Sequence, residues 1–378
     1  MRILHVGKFF PPIPGGIENF TADLSSAQRR SGHEVAILFH GRPGHVWPEM
    51  LPDGRRLYVS RTYGDIAFAP VAPWFCLDLR RAMRAFRPEV LHVHMPNVSA
   101  FSVLIGRKPK IPLVVHWHAD VVSSAYDKRL KMLYPFYRPF ETRLLHIADM
   151  VVPTSQNYLD SSEPLQRFQG KCRVVPLGID TDRMGGSAPP EAKRERPLVL
   201  SVGRFTYYKG YEHLIEAAEH LPGVDIVICG DGPQRPALQD LVERKGLADR
   251  VRLPGFVSDA GVAEYLRQCD LFCLPSIERT EAFGVSLLEA MAHGKPLVTT
   301  NIPGSGVTFV NQDNETGLVA PRLDSKALAE AISRLLSSPK MRKAMGRRAL
   351  ERFNAMFQID AVAQRMDEAY SSMLSLQQ

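Results

Sequence analysis

The chain has 378 residues, of which 45% are hydrophobic and 23% charged. That balance belongs to an ordinary soluble globular protein of two or three domains, and no apolar run approaches the roughly 18 residues of a membrane span. The net charge of +7 lies in the first half: residues 1–190 hold 24 Lys+Arg against 16 Asp+Glu, and residues 191–378 hold 23 against 24. A basic half attracts something acidic, whether nucleic acid, anionic lipid or a phosphorylated substrate.

The opening MRILHVGKFFPPIPGG lacks the apolar region of a secretory signal, and ILHV (3–6) reads as a first β-strand. Pro11, Pro12 and Pro14 stiffen the turn that follows. Gly15-Gly16-Ile17-Glu18 then opens a helix. Glycines there either make a plain turn or let backbone N–H groups approach an anion at the helix N-terminus. Helical periodicity runs over 18–32 and stops at Gly32. Further β-branched runs are EVAILF (34–39), EVLHVH (89–94), PLVVHW (112–117), MVVP (150–153) and RVVP (173–176). HWHAD (116–120) continues one of them, so His116 and His118 share a side with Asp120 nearby. A metal site, a core or rim pair and a substrate-contacting histidine are all open.

Segment 125–149 interleaves Lys128, Arg129, Lys131, Arg138 and Arg143 with Tyr134, Phe136, Tyr137 and Phe140. Pro135 and Pro139 divide it into two short helices. It is either a solvated charged face over partly buried aromatics or a basic, aromatic surface for an anionic membrane or lipid diphosphate. Nucleic acid would suit it too, but no nucleic-acid motif accompanies it. DTD (180–182) reads as a turn and helix cap rather than as a metal-holding Asp-x-Asp. RMGGSAPPEAKRERP (183–197) has almost nothing to bury and reads as a linker.

The strand pattern restarts with PLVLSVG (197–203), VDIVICG (224–230), VRLPG (251–255), DLFCLP (270–275) and PLVTT (296–300), with helical segments between. Two successive β-α-β series imply two parallel-sheet domains, with ligands bound beyond the carboxyl ends of the strands. The last helical stretch, 360–374, has an apolar stripe but no strand after it, so it must pack on an existing surface. The five cysteines (Cys76, Cys172, Cys229, Cys269, Cys273) are sparse, and Cys269 and Cys273 lack the second pair of a zinc set. They read as reduced thiols of a cytosolic protein.

No G-x-G-x-x-G follows the first strand, which argues against a nicotinamide dehydrogenase, and there is no P-loop. GRFTYYKG (203–210) follows a strand and places Arg204 and Lys209 in a glycine-bounded loop where an anion would bind. The guanidinium suits bidentate phosphate contact and the ammonium acts as a point charge; two solvated surface cations are the alternative. GDGP (230–233) is a βα turn with glycines that permit close backbone approach. EAFGVSLLE (281–289) sets two carboxylates eight apart, which on one helix would lie about 12 Å apart and roughly 80° out of line. The spacing works better with Glu281 in a loop and Glu289 two turns inside the helix.

GRFTYYKG, GDGP, HWHAD, the Gly15-Gly16 pair and E-x7-E, in this combination and on this architecture, resemble the retaining glycosyltransferases of family four. The resemblance covers essentially the whole chain. It implies the GT-B fold, two Rossmann-like doubly wound parallel-sheet domains facing across a cleft. Here these are residues 1–184, binding the acceptor, and 185–359, binding a nucleotide sugar, with 360–378 packed back on the first. It implies that Arg204 and Lys209 bind the diphosphate, that Glu281 holds sugar hydroxyls and Glu289 the ribose. Phe283, Gly284 and Val285 would touch sugar and phosphate, Gly15 and Gly16 lie near the diphosphate, and His118 faces the sugar ring. Gly255, Phe256 and Val257 are expected at the base.

The expected activity is a metal-independent, retaining hexosyl transfer without a cofactor, with His118, Glu281, Arg204 and Lys209 as the catalytic set. The likeness to bacterial polysaccharide mannosyltransferases makes GDP-mannose the first choice of donor. UDP-glucose, UDP-N-acetylglucosamine and GDP-rhamnose stay open. The expected acceptor is a lipid-linked or membrane-surface glycan, met at the inner face of the cell membrane with residues 125–143 touching anionic lipid and no nucleic acid involved. A non-catalytic nucleotide-sugar-binding subunit and a GT-B sugar epimerase are the rival classes.

Overall fold

A computed structural model describes residues 1–66, 69–106, 110–121, 128–182 and 195–375. The linker expected at 183–197 lies outside them except for its last three residues. The chain divides into two compact units. One comprises Met1–Ile179 together with Ile359–Gln378, and the other Asp180–Gln358.

The first domain contains β1 (Arg2–Val6), α1 (Gly16–Arg30), β2 (Glu34–Gly41), β3 (Arg56–Arg61), a short hairpin of β4 (Asp65–Ile66) and β5 (Ala69–Pro70), α2 (Phe75–Phe86), β6 (Val90–Met95), β7 (Leu113–Trp117), α3 (Lys128–Ile147), β8 (Met150–Pro153) and α4 (Gln156–Ser161). Its six-stranded sheet has the order β3-β2-β1-β6-β7-β8, parallel throughout. β1, β2, β6, β7 and β8 are buried on both faces, which is why they read as short apolar runs rather than as alternating ones.

Two expectations fail here. RVVP (173–176) is not a regular strand: it runs beside the edge of β8, with a bridge from Cys172 to Val151 and with Arg173 and Val175 N–H donating to the Val151 and Pro153 carbonyls at 2.9 and 3.1 Å, but forms no continuous ladder. RLYVSR is the edge strand β3, whose burial alternates instead of forming an apolar run. The prolines of α3 do not break it either. Pro135 and Pro139 lie inside one helix, both exposed. Four residues apart they share the solvent face, so the interruptions fall where water can satisfy the freed carbonyls, while Leu144 and Leu145 on the inner face stay buried.

The second domain contains β9 (Leu198–Val202), α5 (Tyr211–Ala217), β10 (Asp225–Cys229), α6 (Arg235–Arg244), β11 (Val251–Gly255), α7 (Asp259–Gln268), β12 (Leu271–Leu274), α8 (Val285–Ala292), β13 (Leu297–Asn301), α9 (Val307–Val310), β14 (Gly317–Pro321), α10 (Ser325–Ser337) and α11 (Pro339–Met356). The sheet order is β11-β10-β9-β12-β13-β14, the same winding as the first. The strand β14, GLVAP, escapes a search for β-branched runs because it opens on a glycine. A Cβ on Gly317 would stand 2.0 Å from the Leu297 carbonyl oxygen, so the pairing with β13 requires glycine there.

The final helix, α12 (Ile359–Ser375), belongs to the first domain. Ile359, Val362, Ala363, Met366, Tyr370 and Met373 form its buried stripe, spaced as one helical face. It packs along α1, with Arg30 paired to Asp360 at 2.7 Å and His33 to Asp367 at 3.0 Å. Tyr370 is completely buried. Tyr370→Ala is expected to cost about 3–5 kcal/mol. Tryptophan fluorescence reads this directly in urea unfolding, since Trp47, Trp74 and Trp117 all lie in the first domain; an unchanged midpoint would contradict the packing.

Candidate functional site

In each sheet the order reverses beside the first strand, between β1 and β6 in the first domain and between β9 and β12 in the second. The loops leaving those strands diverge there and leave room for a ligand beyond the carboxyl ends. In the second domain this switch point holds Lys209, after β9, and Glu281, after β12. Lys209 Nζ lies 2.6 Å from Glu281 Oε2, and both residues are more than nine-tenths buried. Ser276 Oγ donates to the same carboxylate oxygen at 2.9 Å. Burial works against the charge on Lys209, but the Glu281 carboxylate outweighs it and the ammonium pKa is raised. Oε2 is thus spent on Lys209 and Ser276, and no described residue bonds Oε1, which stays available to a ligand hydroxyl.

Three loops at this end of the sheet are tied together. Gly203 N–H donates to the Cys229 carbonyl (3.0 Å), Phe205 N–H to Asp231 (2.8 Å), Gln234 N–H to Phe205 (3.1 Å), Gly230 N–H to Gly255 (2.9 Å), and Ile277 N–H to Tyr208 (2.8 Å). The approach is close enough to demand glycine. A Cβ on Gly230 would stand 1.9 Å from the Gly203 carbonyl oxygen, and one on Gly210, whose φ is +63°, 2.4 Å from the Pro275 oxygen. GRFTYYKG and GDGP are therefore two halves of one packed unit.

Arg204 is exposed on this loop. Glu281 lies before α8, as the spacing favours, but Glu289 is the fifth residue of the helix, about one turn inside it rather than two. Phe283 is buried, and Gly284, with φ +84°, is the N-cap of α8 and supplies no side-chain cap. Ser286 Oγ, in the first turn, is buried without a partner. An uncapped helix N-terminus with an unsatisfied hydroxyl suits an anion. Gly255 ends β11, and Phe256 beyond it is 75% exposed. Ser276 is the residue the sequence reading missed. Only its hydrogen bond to Glu281 identifies it, and no spacing rule would.

In the first domain Gly15 is the N-cap of α1 and makes no side-chain cap hydrogen bond, and the Glu18 carboxylate folds back so closely that a Cβ on Gly15 would touch Glu18 Oε2 at 2.0 Å. Burial raises the Glu18 pKa. Asp120 is structural, accepting from Trp117 Nε1 and Ser162 Oγ at 2.7 Å each. DTD is a turn in which Asp182 N–H donates to Asp180 Oδ1 at 3.0 Å.

His116 and His118 do share a side, and they are not alone. His5 on β1, His92 and His94 on β6, His116 on β7 and His118 just after it form one stack of buried imidazoles. The His116 and His118 rings are parallel, with centroids 4.4 Å apart. Nitrogens of His5, His92 and His94, and of His94, His116 and His118, come within 4.8 Å of one another. A metal ion would have to displace the bonds they make among themselves: His5 Nδ1 to His94 Nε2 at 3.0 Å, His94 Nδ1 to His118 Nε2 at 2.9 Å and His92 Nε2 to His116 Nδ1 at 3.2 Å. Burial lowers the pKa of all five, to about 4 for His5 and about 3 for His118.

Two doubly wound parallel sheets, the second carrying a lysine, a carboxylate and an open helix N-terminus at its switch point, define the GT-B class of glycosyltransferase. Residues 14–183 match the family described as Glycosyltransferase Family 4, and residues 187–352 match Glycosyl transferases group 1. The chain belongs to glycosyltransferase family four. It is 31% identical to D-rhamnosyltransferase WbpZ of Pseudomonas aeruginosa, covering 94% of this chain and 92% of that one. To O-antigen chain mannosyltransferase C of Escherichia coli it is 29% identical, covering 99% of each. Among solved structures, sucrose-phosphate synthase from Thermosynechococcus elongatus superposes with a TM-score of 0.82 at 23% identity, covering 99% of both chains. Anabaena HepE in complex with UDP-glucose gives 0.74 at 20%, covering 98% of this chain and all of that one.

Removing one member of a buried ion pair strands the other, which costs about 3–5 kcal/mol. Lys209→Ala is therefore expected to destabilise the second domain by that order, while Glu281→Gln, which keeps an oxygen for Ser276, costs less. Urea unfolding followed by circular dichroism reads both losses, and midpoints unchanged from the wild type would refute the pairing. The histidine stack makes a second prediction. Folded, the five rings are neutral; unfolded, each takes up a proton near its ordinary pKa of 6.5. The unfolded chain then binds more protons below that pH, so stability is full above it and falls as the pH drops toward 4. Each ring contributes a slope approaching about 1.4 kcal/mol per pH unit. The fluorescence-detected urea midpoint should fall steeply between pH 6.5 and 5; a flat profile there would show that the rings are charged when folded.

Proposed function

We propose that the protein is a retaining, metal-independent hexosyltransferase that moves mannose from GDP-mannose to a lipid-linked or membrane-surface glycan. The observation that carries this reading is the buried Lys209–Glu281 pair at the switch point of the second sheet. Lys209 retains two N–H donors for diphosphate oxygens, and exposed Arg204 supplies a mobile bidentate partner. The free Oε1 of Glu281 holds sugar hydroxyls. The N-terminus of α8 takes the phosphate charge at Gly284, Val285 and Ser286, with Phe283 bracing the loop and Glu289 on the ribose. The exposed ring of Phe256, with Gly255 and Val257, meets the base. Gly15, Gly16 and His118 are the first domain's contribution.

In the transfer, the bond from C1 of the sugar to the phosphate oxygen breaks while the acceptor oxygen bonds C1 on the same face, and the departing phosphate takes the acceptor's proton. Cations and amides fixed in advance around the leaving diphosphate lower the barrier by electrostatic preorganisation. Arg204→Ala removes one of them at an exposed site, so the fold survives and kcat is expected to fall about 10²-fold. Unchanged turnover would remove Arg204 from the mechanism. The E. coli relative's mannosyl transfer favours the donor, and a UDP-sugar is the second reading, suggested by the HepE complex. Thermal unfolding with GDP-mannose and UDP-glucose separates them: at 100 times its Kd the true donor adds about 2.7 kcal/mol.

The acceptor side rests on α3. No described helix is long and apolar enough to cross a membrane, but Met132, Leu133, Phe136 and Phe140 are exposed, Phe136 by 75%. Lys131, Arg138 and Arg143 are exposed among them. Residues 125–127, and the side chains of Lys128 and Arg129, fall outside what the structure describes. Such a surface inserts apolar side chains among anionic headgroups, and would hold the enzyme at the inner face of the cell membrane. Flotation with anionic vesicles should recover the protein and neutral vesicles should not; equal recovery would remove the membrane from the reading.

A further inference from the structure

The five histidines belong to a single hydrogen-bonded chain that also passes through α1 and α12. From one end it runs from His118 Nε2 to His94 Nδ1 (2.9 Å) and from His94 Nε2 to His5 Nδ1 (3.0 Å). It continues from His5 Nε2 to Gln28 Oε1 (2.7 Å) and from Gln28 Nε2 to the Tyr370 hydroxyl (3.3 Å). The Tyr370 hydroxyl bonds His92 Nδ1, and His92 Nε2 meets His116 Nδ1 at 3.2 Å. The two nitrogens left over, His118 Nδ1 and His116 Nε2, are the two ends, both buried and both without a partner.

A neutral imidazole has one donor and one acceptor nitrogen, so fixing one proton fixes its neighbour's. Two arrangements run through the whole chain with the Tyr370 hydroxyl proton also meeting an acceptor within it. In one, the Gln28 carbonyl faces His5 and its amide faces Tyr370, and every ring carries its proton on Nε2. In the other, Gln28 is turned over and every ring carries its proton on Nδ1. The Nε2–H form is the more stable tautomer of a neutral histidine in water, so the first arrangement is favoured at each of the five rings. It leaves His118 Nδ1 as a bare acceptor and His116 Nε2–H as a bare donor. The two rings are stacked in parallel. One hydroxyl group, accepting from His116 and donating to His118, satisfies both.

We propose that Gln28, steadied by Tyr370, is a positioning residue that sets the tautomer of His118 through His5 and His94, so that His118 Nδ1 and His116 Nε2–H together bind one hydroxyl group. The hydroxyl is that of an enclosed water or of the transferred sugar. Its assignment to the sugar rests on the hexosyltransferase reading above, whereas the tautomer does not. Met in place of Gln28 keeps the volume but removes the acceptor for His5 and cuts the two branches of the chain apart, so only the modest preference of the separate rings is left.

The test is NMR of the full-length protein with 15N,13C-labelled histidine, with His118 assigned by substitution. Without donor, wild-type His118 is expected as a single Nε2–H tautomer, and Gln28→Met as a mixture of the two. Tyr370→Phe, which breaks the chain beyond Gln28, should mix His92 and His116 while His118 keeps one form. Wild-type His118 protonated on Nδ1, or Gln28→Met with a single unchanged tautomer, would overturn the proposal, the first even if the variants do not fold. GDP-mannose and UDP-glucose are then added. A shift of His118 15Nδ1 in wild type, with kcat/KM lowered about tenfold in Gln28→Met, the factor one hydrogen bond carries, identifies a sugar hydroxyl. No shift with the tautomers as expected identifies an enclosed water. If donor binding fails altogether while the tautomers hold, the functional reading falls and the positioning role of Gln28 stands.

Discussion

Lys209 and Glu281 are ions removed from water, and neither is tolerable without the other. The desolvation of two such groups is offset only when their geometry is good and the remaining lone pairs are satisfied, and the second domain is organised to supply those conditions. The pair sits where β9 and β12 separate, so its two halves arrive from loops 72 residues apart in the chain, as Leu198 and Asp270, joined at the other end of the same strands, also do. Ser276 completes the carboxylate. The glycines at 210 and 230 let the surrounding backbones close to distances that no side chain allows. The same pair explains why a charged group can wait at the site in the absence of ligand: Glu281 holds the ammonium in place and in its charged form.

The first domain faces the opposite problem and solves it without charge. Five histidines on neighbouring strands would repel one another if protonated, and burial keeps them neutral. Their ring nitrogens then find partners in each other. Register does the rest: β1 sets His5 opposite His92, and β6 sets His94 opposite His116. The period of two along each strand brings all five to one face.

Much of this was legible in the chain. The two β-α-β series and the loop position of Glu281 follow from spacing alone, because strand and helix periods leave few other arrangements. The run at 173–176 lies along the β8 edge and bonds to it, but β-branched composition does not by itself tell such an irregular pairing from a regular strand. Pro135 and Pro139 misled because a rule for helix interiors assumes that the freed carbonyls are dry. What could not be read was everything that depends on lateral contact. HVH at 92–94 and HWH at 116–118 announce histidines in strands, but not that the strands are neighbours. Gln28 and Tyr370 carry no signal at all until α1 and α12 are seen side by side.

The link between Gln28 and Tyr370 spans 342 positions in sequence, and the second domain is threaded between its ends. A ribosome producing this polypeptide therefore finishes the middle lobe before it releases the segment that seals the opening one. Until then the inner surface of α1 has no cover, and the imidazole column ends at an amide with nothing beyond it. Domains generally become compact as they emerge, the earliest first; here the earliest must wait for the last few dozen residues. Nascent chains arrested before α12 would carry a finished second domain and an incomplete first one.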